Sequence, residues 1–189
     1  MRSMSNYGGA LVRLGRQTEA LPWLERATEI AEHVYGHGDR MLCEPLNLLG
    51  DCLLRLLRID EALRCFDRAI AISETHVGRD HFQTLNYLQN RASCLASLQR
   101  WEEAVLAYGE QVQRCRRTFG DCSMLALLGQ SNLASCLSKT GRKTEALLAW
   151  RAVREDQARA LGRSHPHTLM SSRRIATLLE EQGRTEVAV

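Results

Sequence analysis

Proline is almost missing from this chain, with three in 189 residues, and aromatics are few: three tryptophans, four tyrosines and three phenylalanines. So little proline and aromatic content disfavours a sheet and leaves long helices free to form. No run of about 18 apolar residues occurs, so nothing reads as a membrane-spanning helix. The opening MRSMSNYGGALVRLGR has Arg and Gly where a secretory signal is apolar. The seven cysteines are odd in number and contain no CxxC pair, which argues against a disulfide framework and against zinc. Reduced thiols in cytosol or nucleus are the expectation, with a cytoplasmic location the leading one. A Gly-rich phosphate loop, a GxSxG elbow and an HExxH helix are also lacking. Neither an enzyme nor a cofactor is expected. The net charge of +3 is too small to indicate nucleic acid by itself.

What the chain has is Leu, Ala, Arg and Glu, a helix-forming mixture. With 44% hydrophobic and 25% charged residues, it has the balance of a folded protein rather than a disordered one. It also has a period. Ala20, Ala62, Ala104, Ala146 and Ala188 stand 42 residues apart. Glu19, Glu61, Glu103 and Glu145 precede the first four, and Arg16, Arg58, Arg100, Arg142 and Arg184 lie four places before each alanine. Gly36, Gly78, Gly120 and Gly162 keep the same interval, as do Leu11, Leu53, Leu95, Leu137 and Leu179. Several independent positions agreeing on one period mark a repeat array. The reading is a single array over 1–189, with repeats at about 1–36, 37–78, 79–120 and 121–162 and a partial fifth at 163–189.

Each unit holds two helical patterns. Leu46, Leu49, Gly50 and Leu53 fall at i, i+3, i+4 and i+7, and Ala62, Leu63, Phe66 and Ala69 repeat that spacing. The link is Leu57–Asp60; Gly15 and Gly141 occupy the same link and suit a left-handed helix end. Asp60, Thr18 and Thr144 are the expected N-caps of the second helices, and the periodic glycines their stops. Gly8, Gly50, Ala92, Ala134 and Ala176 let the paired helices approach, while Leu24, Phe66, Tyr108 and Trp150 fill the remaining gap. Cys52, Cys94 and Cys136 precede packed leucines and read as small buried fillers. The aromatics fall in core places. One hairpin cannot bury its own apolar face, so neighbours stack. Four hairpins and an orphan first helix at about 165–182 predict an all-α solenoid of antiparallel helix hairpins.

The pattern A-x-x-x-(L/F/Y/W)-x-x-A, seen in Ala20-Leu24-Ala27 and Ala62-Phe66-Ala69, resembles the tetratricopeptide repeat. The 42-residue unit, longer than the usual one of about 34, is similar to the kinesin light chain subgroup. So are LGRSHPHTL from Leu161 to Leu169, VGRDHFQTL from Val77 to Leu85, NRASCL from Asn90 and SNLASCL from Ser131. The heptad coiled coil that joins light chains to a motor is not in this sequence. The resemblance implies a right-handed superhelical solenoid whose first helices line the concave side. It also implies that Asn90 and Asn132 match groove asparagines that hold cargo peptide backbones, with Leu48 and Arg174 in the equivalent places of the flanking repeats.

On that side the sequence offers a polar stripe. It runs Ser5, Asn6, Gly9 and Arg13; Asn47, Asp51 and Arg55; Gln89, Asn90, Ser93 and Ser97. It continues with Ser131, Asn132, Ser135 and Lys139, then Arg173, Arg174 and Thr177. Amides carry both donor and acceptor and can pair with an extended backbone whatever its side chains. Arg and Lys beside them favour carboxylates. The expected partner is therefore a protein or peptide, acidic or mixed, with no membrane. The arginines of QRCRRTF, Gln113 to Phe119, read as cations at a helix C-terminus rather than an RNA contact. His33 and His37 are four apart, but Gly36 ends the helix between them, so no metal site is expected. The leading function is an adaptor holding a partner segment. The alternatives are a structural subunit of a large assembly and a regulatory domain of a longer protein.

Overall fold

The computed structural model describes residues 2–181 and 183. Arg184 and Ala188, which continue the sequence periodicities, lie outside the described residues, as do Gln182 and Val189. Among the described residues there is no strand, and the chain forms two compact units, Met1–Leu98 and Gln99–Val189.

The first unit contains α1 (Arg2–Arg13), α2 (Gln17–Tyr35), a 3-10 turn at Arg40–Leu42, α3 (Cys43–Arg55), α4 (Ile59–His76) and α5 (Phe82–Ser97). Consecutive helices pack on each other, and the first helices α1, α3 and α5 also touch in sequence. The core is built as the spacing predicts. Ala20, Leu24, Ala62 and Phe66 are fully buried, joined by Leu11, Val12, Cys52, Leu53 and Cys94. The need for small residues opposite the ring is geometric. A Cβ on Gly50 would lie 2.8 Å from the Phe66 ring, and one on Gly8 would lie 2.7 Å from Leu24. Burying a side chain such as Phe66 contributes about 1.5–3 kcal/mol, provided the backbones come this close.

The second unit contains α6 (Trp101–Phe119), α7 (Met124–Lys139), α8 (Lys143–Leu161) and α9 (Pro166–Glu181), each packed on the next. Ala104, Tyr108, Ala134, Ala146 and Trp150 occupy the equivalent buried places. The seam here is more polar. Asp156 is buried and accepts from Arg116 Nη2 at 2.6 Å and from Arg159. Gln157 donates to Ser131 Oγ at 3.2 Å and accepts from Ser171 Oγ at 2.7 Å.

The turn between the two helices of a repeat explains the landmark residues. Gly15, Leu57, Gln99, Gly141 and Gly183, each 42 after the last, all have positive φ, from 58° to 78°. In the first unit Arg16 N–H donates to Leu11 O and Arg58 N–H to Leu53 O, both at 2.9 Å, the helix-end closure that a left-handed residue permits. The same arginine starts the next helix. Its carbonyl accepts from the landmark alanine at 3.0, 3.1, 2.9 and 2.9 Å for Ala20, Ala62, Ala104 and Ala146. Its guanidinium clasps the glutamate three residues on, with Nε and Nη2 each donating to one carboxylate oxygen. The closest approach is 2.6 Å in Arg16–Glu19, Arg58–Glu61, Arg100–Glu103 and Arg142–Glu145. These clasps hold the Glu19, Glu61 and Glu145 carboxyls below their usual range.

Three expectations need correction. The second helices begin at Gln17, Ile59, Trp101 and Lys143, with the arginine as the capping residue and no side-chain cap. Thr18, Asp60 and Thr144 therefore lie inside the first turn rather than at the cap, and the link ends before Ile59. The aromatics are not all core: Tyr7, Trp23, Tyr35, Phe82 and Phe119 are exposed, and Tyr7 and Trp23 meet edge to face at 5.4 Å. Ser5, Gly9 and Gln89 are buried rather than displayed on an open stripe.

Candidate functional site

In the first unit, α3 and α5 bring Asn47 and Asn90 together, both half-buried, with Asn90 Nδ2 donating to Asn47 Oδ1 at 2.9 Å. In this bond Asn90 uses its amide nitrogen and Asn47 its amide oxygen; an amide carries both a donor and an acceptor. Ser93 is half-buried and Ser97 exposed; their hydroxyls bond the helix carbonyls of Gln89 and Ser93. Arg55 is exposed but paired with Asp51 at 3.1 Å along α3. The attraction for carboxylates expected of it is already answered within its own helix. Gln89, 4% exposed, lies on the packed arc because α5 meets both α3 and α4. Asn6, with Arg2 and Arg40, lines a separate polar cleft of about 320 Å³.

In the second unit, α7 carries Ser131, Asn132, Ser135 and Lys139, and α9 carries Arg173, Arg174 and Thr177. Ser131 is drawn inward, donating to Leu127 O at 2.8 Å and accepting from Gln157. Asn132 and Ser135 are half-buried, while Lys139, Arg173 and Arg174 are exposed. Among the described residues none of these three cations has an ion-pair partner. Ser135, Lys139 and Arg174 converge on a cleft of about 220 Å³ that also includes Trp150, Thr177 and Glu181. Sequence reasoning took Trp150 only as core filler and did not connect it to this cleft. Its signal was the change of the ring position from Leu24 to an N–H-bearing indole.

Five of the cysteines are poor nucleophiles. Burial pushes the Cys43 and Cys65 thiols up to about 11 and the Cys94 thiol up to about 12, and raises Cys52 and Cys136 as well. A protonated thiol neither attacks nor ligates. Cys52 instead donates weakly to Gln17 O at 3.4 Å, the part of a small filler. His33 and His37 fall on either side of the helix end at Gly36, and His81 and His165 act as helix caps, their Nδ1 accepting from Gln83 and His167 N–H at 3.2 and 3.3 Å. Among the described residues no three metal-binding side chains converge, and no helix is long and apolar enough to cross a membrane.

Comparison with known proteins places this geometry. Models of the tetratricopeptide repeat match residues 1–75, 41–117 and 129–167. No curated protein matches the chain. Among solved structures, the nearly identical TPR-like repeats assigned to a kinesin light chain of Podospora anserina align at TM-score 0.85 and 21% identity, over 99% of this chain and 88% of that one. BtubC, or BKLC, from P. vanneervenii aligns at 0.84 and 17% identity, over 99% and 74%. YrrB, described as a TPR protein with an unusual peptide-binding site, aligns at 0.60 and 14% identity, over 98% and 79%. At these identities the likeness is one of fold.

Proposed function

We propose, for a chain that belongs to the tetratricopeptide repeat family, that its first helices hold an extended segment of a partner protein, as an adaptor with repeats of the kinesin light chain type. The contrast in ion pairing carries this reading. At the starts of the second helices Arg16, Arg58, Arg100 and Arg142 are each clasped by a glutamate. On α7 and α9, Lys139, Arg173 and Arg174 are left open among the described residues. Half-buried amides, Asn47 with Asn90 in one unit and Asn132 in the other, supply sequence-independent contacts to a backbone. Open cations add a preference for carboxylates. YrrB, a TPR protein that shares this fold and has an unusual peptide-binding site, supports the reading. The seven cysteines are all free thiols, which suits a reducing compartment, and a cytoplasmic location is part of the proposal.

The test is affinity purification of a partner, followed by mapping of the bound segment on overlapping synthetic peptides. Asn90→Ala with Asn132→Ala should weaken the mapped peptide about tenfold, and Lys139→Glu with Arg174→Glu should do so for acidic peptides most strongly. Folded variants with unchanged affinity would remove the first-helix faces from consideration.

A further inference from the structure

Within a hairpin the second helix sits on one stripe of the first. On α3 the stripe is Cys43, Leu46 and Gly50; on α7 it is Leu127, Gln130 and Ala134, at i, i+3 and i+7 in both. All six are buried, and α4 and α8 pack on these two helices. Gly50 marks the side, since a Cβ there would lie 2.8 Å from the Phe66 ring of α4. On α9 the same stripe is Leu169, Ser172 and Ala176. Leu169 is 56% exposed where Leu127 is 2% exposed, and Ser172 and Ala176 are half-buried. Among the described residues no second helix covers it.

A cleft of about 930 Å³ opens along this stripe. Leu169 and Ser172 line it from α9, Arg154, Ala158 and Arg159 from α8, and Arg163 from the turn between them. Against these three arginines the lining holds one carboxylate, Glu155. Arg159 also bonds the buried Asp156, and Arg163 is exposed. One repeat earlier the polar side of such a contact is already made. Asp156 arrives on α8 and accepts from Arg116 of α6 at 2.6 Å, so a carboxylate of the incoming helix meets a cation of the second helix before it. An apolar stripe bordered by surplus positive charge complements a helix with one apolar face and an acidic flank.

We infer that the groove between α8 and α9 receives an acidic amphipathic helix of a partner chain, laid on α9 as α8 is laid on α7. Its apolar face covers Leu169, Ser172 and Ala176, and its acidic flank lies toward Arg154, Arg159 and Arg163. Helices that dock in grooves use anchors at this i, i+3 and i+7 spacing. At about 100° per residue, the stripe lies on a different face of α9 from Arg173, Arg174 and Thr177. The inference is therefore independent of the extended segment proposed for the first-helix faces, and the two guests do not compete for the same side chains.

The test titrates the full chain into a fluorescein-labelled peptide and reads fluorescence anisotropy. The peptide has the 19 residues of α8 with Arg151→Glu, Arg154→Glu and Arg159→Glu, which keep the apolar face and make the rest acidic. Two control peptides are a scrambled order of the same residues and an α8 peptide with Glu145→Lys, Glu155→Lys and Asp156→Lys. The acidic helix should bind at least tenfold more tightly than either control. In the chain, Leu169→Asn and Arg163→Glu, both at exposed positions, should each weaken it at least fivefold, while Asn90→Ala with Asn132→Ala leaves it unchanged. Absence of binding, equal binding of a control peptide, or indifference to Leu169→Asn would each overturn the inference. Loss of binding with the asparagine pair would seat the peptide on the first-helix faces and overturn it as well. So would a dimer of the chain alone that Leu169→Asn dissolves, which gives the groove to a second copy. Tenfold tighter binding after removal of residues 184–189 would give it to the chain itself, with the same consequence.

Discussion

The first unit fills the space between its helices almost wholly with hydrocarbon, whereas the second adds several buried polar side chains to its hydrocarbon. Between α1 and α4 the layer is Leu11, Val12, Leu24, Leu49, Leu53 and Phe66, and the buried hydroxyls nearby are short and locally paired, as in Thr28 to Leu24 O at 2.9 Å and Ser73 with Thr84 at 2.7 Å. Between α6 and α9 the buried set includes Gln111, Arg114, Gln130, Asp156 and Gln157. Period, hairpin and turn are common to both. The difference teaches that the repeat is held by small-against-large contacts inside a hairpin, while the seam between hairpins is free to carry any chemistry whose polar groups find partners. An apolar seam gives stability; a polar one leaves some buried groups, such as the Gln130 amide, without a partner.

The largest test of that distinction is Ala62→Glu. It places a charge, with neither room nor partner, in the tight contact of α3 with α4. A loss of about 3–5 kcal/mol or outright failure of the first unit to fold is expected, read by circular dichroism during heating. A normal cooperative melt would contradict the close-packed account. Next comes Asp156→Ala in the polar seam. It removes the acceptor of Arg116 and Arg159, whose side chains are 38% and 63% exposed and can return to water. The expected loss is about 1–3 kcal/mol in urea unfolding, smaller than the first because no charge is stranded. A loss as large as that of Ala62→Glu would mean the seam, not the hairpin, is the stabilising element. The smallest effect belongs to the turn shared by both units. Leu57, at φ 62° and 80% exposed, occupies a conformation that costs an L-residue about 1 kcal/mol. Leu57→Gly should raise stability by roughly 0.5–1 kcal/mol, and Gly141→Leu should lower it by a similar amount, both measurable by calorimetry.

The hairpin was open to reading from sequence because its contacts sit at fixed spacing along one chain. Gly50 opposite Phe66 and the ring series from Leu24 to Trp150 follow from periodicity alone. The caps were harder. Asp39, His81, Ser123 and His165 stand 42 apart and each accepts from a backbone N–H at a helix start. Histidine is an unusual cap, however, so His81 and His165 do not stand out as caps by residue type. Thr18, Asp60 and Thr144 are ordinary capping types displaced by the arginine clasp, which begins the helix earlier. Of the expected stripe, Asn90, Asn132 and Lys139 lie on accessible or half-accessible faces. Gln89 and Ser5 do not, because a helix touched on two sides retains only a narrow open arc, and its bearing depends on crossing angles that the residue pattern leaves unspecified.

The left-handed corners at Gly15, Leu57, Gln99, Gly141 and Gly183 constrain how such a chain can change in length. Dropping one residue inside a helix would turn everything beyond it by about 100° around the axis, moving an alanine out of its slot and an arginine out of reach of its glutamate. Removing or copying a complete cassette from one corner to the next leaves every surviving side chain facing the kind of neighbour it faced before. Whole-cassette duplication and excision are therefore the length changes this architecture absorbs without repair.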